Sequence, residues 1–425
     1  MKAVRTTITT TTALLLLSII SSSQALADDS SGSLAAALEQ TKPLVDIRLR
    51  YEEVEQTGFV DNAHAETLRA RLGAETGKFL DTSVLAEGEA MIRLDRDYRP
   101  DNAVATYTRF PIVADPENYV LNRLSITNTS LPQTSLTIGR QRMNLDDQRF
   151  VGSSNWRQNE VTFDAVRVVN KSVANLTVDL TFLNKVHRPY GVDSPQGTYK
   201  GDSYLSNIAY QSPIGKLTAF AYLLDFDPIA GLTGAFDPRR GSTSTYGGRF
   251  VGSQPVGVAK IGYVASYAWQ KSRDGNPVKF SNDYYLGELN FTVENIKLAA
   301  GEEIMQGNGT VGFTTPLATL HLFEGWADKF LTTPANGIKD PYGSLGWTGS
   351  HLLGLDSLAA SAIYRTFEAE RVNVSYGSEW DFALTGKWHH YAALLQYASY
   401  NAAVSTPVAI ARSTTKFWAQ LEYIW

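Results

Sequence analysis

Apolar and polar residues alternate along most of this chain with a period of two, the spacing of a β-strand with one face apolar. Val45, Ile47, Leu49 and Tyr51 make one face of a first segment, and Asp46, Arg48, Arg50 and Glu52 make the other. Leu68, Ala70 and Leu72 oppose Arg69 and Arg71. Ala86, Ala90, Ile92 and Leu94 oppose Glu87, Glu89, Arg93 and Asp95, and Val120, Leu124 and Ile126 oppose Arg123 and Ser125. The chain ends on the same pattern: Phe417, Ala419, Leu421, Tyr423 and Trp425 share a face. An amphipathic strand ending in an aromatic residue is how outer-membrane barrels close, so the apolar faces are expected to meet lipid and the charged ones a lumen.

Counting back from Trp425 predicts strands at 413–425, 388–400, 375–386, 357–368, 340–351, 296–305, 283–293, 258–270, 244–252, 216–226, 203–212, 174–187, 160–169, 134–142, 119–129, 82–96, 66–76 and 43–54. The total is eighteen, an even number. Short turns such as Glu294-Asn295, Gly354-Leu355-Asp356 and Gly386-Lys387 fall on the side where the chain ends. The long connections, 98–118, 143–159, 226–243 and 306–339, fall on the other. Short periplasmic turns and long extracellular loops are the outer-membrane arrangement. The expected fold is all-β, a monomeric, porin-like transmembrane antiparallel β-barrel spanning 43–425.

Lys2 and Arg5, the apolar run Ala13–Ile20 and the small residues Ala25-Leu26-Ala27 read as a signal peptide over 1–27, cleaved before Asp28. The run is too short for a membrane span, which needs about 20 residues. Residues 28–42 form a short periplasmic leader in which Leu34–Leu38 suits a helical turn or two. Without Lys2 and Arg5 the bases fall from 38 to 36 against 43 acids, so the mature charge is 36 − 43 = −7. An acidic chain without a basic tract disfavours a nucleic-acid partner. There is no cysteine, so backbone pairing and burial must hold the exported fold together. The 21 Tyr, 18 Phe and 8 Trp suffice for aromatic girdles at two bilayer interfaces.

Arginine is uneven: fourteen lie between 43 and 170 and eight between 171 and 425. Two readings stand. Such a wall can guide anions through a lumen, or it can pair with Glu52, Glu87, Glu89 and Asp95 in an internal ladder. The run Gly139-Arg140-Gln141-Arg142, Asp146-Asp147-Gln148-Arg149-Phe150, Trp156-Arg157-Gln158-Asn159 and Thr162-Phe163-Asp164-Ala165 resembles the alginate export family of outer-membrane channels. Phe313–His321, followed by Gly325-Trp326-Ala327-Asp328-Lys329-Phe330, carries the same resemblance.

The resemblance implies an eighteen-stranded barrel that passes an anionic polysaccharide such as alginate, with its pore arginines on the early strands. Arg48, Arg50, Arg69, Arg71, Arg93, Arg123, Arg140 and Arg142 are the positions it carries over. Strict alternation from Leu136 and Ile138 puts Arg140 and Arg142 toward lipid unless a bulge intervenes near Gly139. Asp146 and Asp147 are expected to pair with Arg149 and Arg157. The apolar residues of 315–330 predict that this loop packs on the barrel's mouth or inner wall. Glu288, Glu302 and Glu303 depart from an all-basic lumen.

No HExxH or GxSxG pattern appears among these residues, His321 is the one histidine of interest, and no enzyme, metal or other cofactor is expected. The partners implied are an anionic polysaccharide or small anionic solute, the bilayer with its lipopolysaccharide, and periplasmic export proteins. The location implied is the bacterial outer membrane. Uptake of small organic acids or other polyhydroxylated solutes through the same build is the alternative.

Overall fold

The computed structural model of the chain describes residues 33–101, 107–405, 407 and 410–425. The expected signal peptide and the start of the leader lie outside these residues. The leader's Leu34–Glu39 forms a short helix, α1, capped by Ser33 Oγ accepting from Ala36 N at 3.1 Å.

Eighteen strands follow. They are β1 (Lys42–Gln56), β2 (Ala63–Glu75), β3 (Thr82–Arg93), β4 (Asn118–Asn128), β5 (Thr134–Gln141), β6 (Thr162–Asn170), β7 (Leu176–His187), β8 (Thr198–Ser212) and β9 (Gly215–Leu223). Then come β10 (Thr243–Val256), β11 (Ala259–Ser272), β12 (Ser281–Val293), β13 (Ile296–Met305), β14 (Ile338–Leu352), β15 (Leu355–Glu368), β16 (Ser375–Trp388), β17 (Tyr391–Ala402) and β18 (Thr414–Ile424). Each pairs antiparallel with its sequence neighbours, and β1 pairs with β18 from Asp46↔Ile424 to Gln56↔Thr414, which closes the barrel. Closure leaves no strand edge, so every strand's backbone donors and acceptors can be satisfied without water.

Register confirms the alternation. Ile47, Leu49, Leu72, Ile92, Leu124 and Ile126 lie exposed on the outer face, while Arg48, Arg50, Glu52, Arg69, Arg71, Glu87 and Glu89 are buried inside. Rings collect near both ends of the belt: Trp388, Tyr391, Tyr423 and Trp425 by the short turns, and Tyr246, Trp269, Tyr267, Tyr285, Tyr364 and Trp380 toward the long loops. This apolar band with its girdles is the surface of a membrane-spanning barrel.

Two details differ from expectation. Val120 was expected on the lipid face, but β4 carries a bulge opposite Glu87–Gly88 that inserts Asn122. The extra residue reverses the parity before it, so Tyr119 and Leu121 are exposed outside and Val120 sits opposite the buried Glu89. The turn expected at Gly386-Lys387 lies instead at His389-His390, because β16 continues to Trp388, which pairs with Tyr391. His389 has φ 50°, and its N–H donates to Asp356 Oδ2 at 2.5 Å.

The apolar core lies inside the barrel and is supplied partly by loops. Phe150 packs on Phe220, Tyr222, Tyr284 and Phe313, and Phe330 packs on Phe367, Tyr376 and Tyr400.

Candidate functional site

The lumen-facing side chains of β18, β1, β2 and β3 form rows fixed by register. Glu422, Arg48 and Arg69 share one row, Gln420, Arg50, Thr67 and Arg93 the next, and Asp46, Arg71 and Glu89 a third. Arg48 and Arg69 are directly opposed, an unfavourable juxtaposition unless an acid intervenes. Glu422 does, at 2.6 Å from Arg48 and 3.0 Å from Arg69, and Asp46 also pairs with Arg69. Arg50 donates to Gln420 at 2.6 Å and stacks over Trp156. Arg71 reaches Glu89 at 2.5 Å and Glu160 at 3.5 Å. Arg123 and Arg142 meet Glu87 and Glu160 at 2.5 and 2.6 Å.

Seven guanidiniums here, Arg48, Arg50, Arg69, Arg71, Arg123, Arg142 and Arg157, face seven carboxylates: Asp46, Glu52, Glu87, Glu89, Asp115, Glu160 and Glu422. Each of these seven guanidiniums therefore has a carboxylate within reach, Arg50's the farthest at 3.9 Å. Buried charges demand this, since an unpaired one costs several kcal/mol.

Two carried-over positions stand apart. Arg93 has no carboxylate partner among the described residues; it donates to the Arg96 and Tyr98 carbonyls at 3.2 Å and lies over the Tyr98 ring. Arg140 shares the outer face of Leu124 and Ile138 and pairs with Asp164 at 2.8 Å. Gly139, at φ +116°, kinks β5, yet the alternation persists through Arg140. Only beyond the strand does Arg142 turn inward to the fully buried Glu160.

Three of the arginines hold a loop as well as a wall. Arg48 donates to the carbonyls of Asn155, Trp156 and Arg157, and Arg71 to Asn155 Oδ1 at 2.6 Å and the Gln158 carbonyl at 3.2 Å. Arg157, on that loop, reaches Glu52 at 3.3 Å and Asp328 at 2.9 Å. The loop's other half crosses the lumen. Asp146 meets Lys216, Asp147 meets Arg249 at 2.7 Å, and Arg149 meets Glu303 and Glu324 at 2.7 and 2.9 Å. The expected pairing of Asp146 and Asp147 with the Arg149 and Arg157 guanidiniums is thus replaced by pairing with strands on the far wall. Arg149 takes only a backbone bond to Asp147.

The segment 306–337 also folds inward, as its apolar residues required. Leu317, Ala327 and Phe330 are buried. Ala327 N–H donates to Glu379 at 2.7 Å, and Gly325, at φ +86°, lies so close to Glu379 that a Cβ would stand 2.5 Å from its carboxylate. The two loops interlock through Gly152 N–H to the Leu317 carbonyl at 2.8 Å and Thr319 N–H to the Gln148 carbonyl at 3.0 Å. Trp156 stacks on His321 at 4.0 Å between ring centres. His321 Nδ1 lies 2.8 Å from Asp328, which also takes Lys416 at 2.6 Å. Burial favours the neutral carboxyl at Asp328, but Lys416, His321 and Arg157 outweigh it and hold the group well below the usual range. Burial pushes His321 down against Asp328's pull, and lowers Lys329 to about 7 with help from Lys416.

Below the loops, toward the short turns, lies a chamber of about 630 Å³ lined by Lys216, Arg249, Lys260, Lys297, Asp146 and Asp147. The arginine count drew attention to the early strands and away from these later ones. The usable signal was present in the alternation of β11, which puts Lys260 on the face of Gly262, Val264 and Ser266. Glu303 faces inward, whereas Glu302, opposite Gly287, is on the outer face. No cluster of acids and histidines suited to a metal ion occurs among the described residues.

The alginate export family model matches residues 93–287, a little under half of the chain, and bears out the resemblance seen in the sequence. No curated protein matches the chain. Solved structures that match include Pseudomonas aeruginosa OpdO, 14% identical with a TM-score of 0.67 over 92% of this chain and 98% of that one. The same organism's OccK9 (OpdG) matches at 14% identity and TM-score 0.67, over 92% and 99%. Its outer membrane protein opdK matches at 12% and 0.66, over 91% and 99%. At such identities the likeness shows the fold, the closed eighteen-stranded barrel.

Proposed function

Starting from an eighteen-stranded outer-membrane barrel of the alginate-export type, we propose that the chain is a narrow, passive channel for small anionic solutes. One observation carries this reading: two long loops cross the lumen, interlock, and are tied by buried ion pairs to opposite walls. A polymer route needs an unobstructed width, and removing these loops would strand several buried charges. Arg48, Arg71, Arg123 and Arg142 act in this reading as the frame that holds the constriction, while Arg93 and the later-strand lysines meet the solute. Flow follows the concentration gradient, so direction depends on which side supplies solute.

Export of an anionic polysaccharide is the second reading, favoured by the family match over 93–287. The two separate in liposomes loaded with the purified full chain. Swelling in small organic anions, with none in oligouronates of several sugars, supports the narrow channel. Comparable entry of oligouronates overturns it in favour of the polymer route.

A further inference from the structure

We infer that the chamber at the short-turn mouth is a binding site for a small multivalent oxyanion, held between Lys260 and Lys297. This rests on the channel reading and adds the place where the solute is gripped. Lys260 on β11, Thr292 on β12 and Lys297 on β13 lie in one row of the sheet. Their parity is that of lumen residues: Lys260 alternates with Ile261 and Tyr263, and Lys297 with Ile296 and Leu298, all on the other face. Two inter-strand spacings separate the lysines, so their backbones stand about 10 Å apart.

Two ammonium groups at that distance repel unless an anion lies between them. The protein supplies none. Both lysines are exposed, and neither makes an ion pair or hydrogen bond among the described residues. Glu288, on the same inner face further up β12, is engaged by Tyr342 Oη at 2.7 Å and by Asn290 at 3.1 Å. Asp146 and Asp147 already serve Lys216 and Arg249, so four cations in the chamber meet two carboxylates from the loop. Elsewhere on the inner wall most arginines pair with acids, and Arg93, which does not, is covered by the Tyr98 ring and by backbone carbonyls. This mouth is where uncompensated positive charge faces open volume.

The surroundings fit a small, hydrated, multiply charged guest. Small or polar residues, Ser253, Gly262, Asn290 and Thr292, line the chamber beside the lysines and leave room above the row. Lysine presents a point charge with rotatable donors, which suits carboxylate and phosphate oxygens without fixing one geometry. Its location below the constriction makes it accessible from the short-turn side.

Citrate is the probe. Binding of labelled citrate to the detergent-solubilised full chain is compared with Lys260→Gln/Lys297→Gln, folding of both being checked by heat-modifiable gel mobility. Since neither lysine has a partner to lose, the variant is expected to fold. Citrate binding is expected to weaken roughly tenfold or more in the variant, and, in planar bilayers, citrate is expected to block from the short-turn side alone, a block the variant loses. Equal citrate binding by the two proteins, or none by the unaltered chain, overturns the site. Lysine-dependent binding without any conductance supports the site and overturns the channel reading instead.

Discussion

Arg71 shows why guanidinium rather than ammonium builds this wall. Its fork donates to Glu89, to Asn155 Oδ1 and to the Gln158 carbonyl at once, joining β2, β3 and the loop. A lysine keeps the charge but cannot span the three acceptors. Arg71→Lys is expected to free residues 155–158, seen as new protease cleavage there in the folded barrel. Arg71→Met should strand Glu89 in the interior, while Glu160 keeps Arg142, at a cost of ~3–5 kcal/mol, measured as earlier heat or urea unfolding. The latch at His321 makes a second prediction, in pH. Released loops carry His321, Asp328 and Lys329 at their ordinary values of 6.5, 3.8 and 10.5. In place, all three are shifted down, among Arg157, Lys416 and Glu379, whereas burial raises Glu324 on the same loop to about 8. Above that value Glu324 is ionised whether the loop is packed or released, and Lys329, at about 7 in place against 10.5 released, makes the packed state more stable as pH rises toward 10.5. Raising pH from about 9 to about 10 should therefore lessen loop opening, read as conductance flicker, which Asp328→Asn should increase already at neutral pH. Flicker that grows over that rise would contradict the latch.

At the scale of strands, the alternation of apolar and polar residues located all eighteen, and the turns gave their order. What it could not supply was local slippage. Val120 is apolar and in phase with Leu124 by ordinary counting, and nothing at Asn122 marks it as an inserted residue. At β5 the glycine did mark a kink: a Cβ on Gly139 would stand 2.3 Å from the Leu124 carbonyl. Gly139→Ala, strained at φ +116° and crowded as well, should destabilise the barrel by roughly 1–3 kcal/mol, with hydrogen exchange rising first along the β4–β5 seam. The loops were legible unevenly. Leu317 and Phe330 in 315–330 disclosed a buried segment because solvated loops do not carry such residues. The partners of 142–161 were hidden, since Arg149 and Glu303 are 154 positions apart in the chain. Replacing 313–330 by a short Gly/Ser link is expected to enlarge the conductance and, by stranding Lys416 and costing Arg149 its Glu324 partner, to lower the barrel's heat stability.

At the scale of the molecule, the excess of arginine on the early strands was visible in the sequence, but its balance was not. Glu422 meets Arg48 across 374 positions, and only the closed barrel brings β18 against β1. On the proposed reading these arginines hold loops across the lumen, and selectivity comes from the later-strand lysines. The most direct test is single-channel recording of the full chain and of Arg48→Ala/Arg71→Ala under a salt gradient. A larger conductance is expected in the variant, with an anion-selective reversal potential largely kept. An unchanged or smaller conductance together with lost anion selectivity would contradict it, and would return the arginines to the role of pore lining.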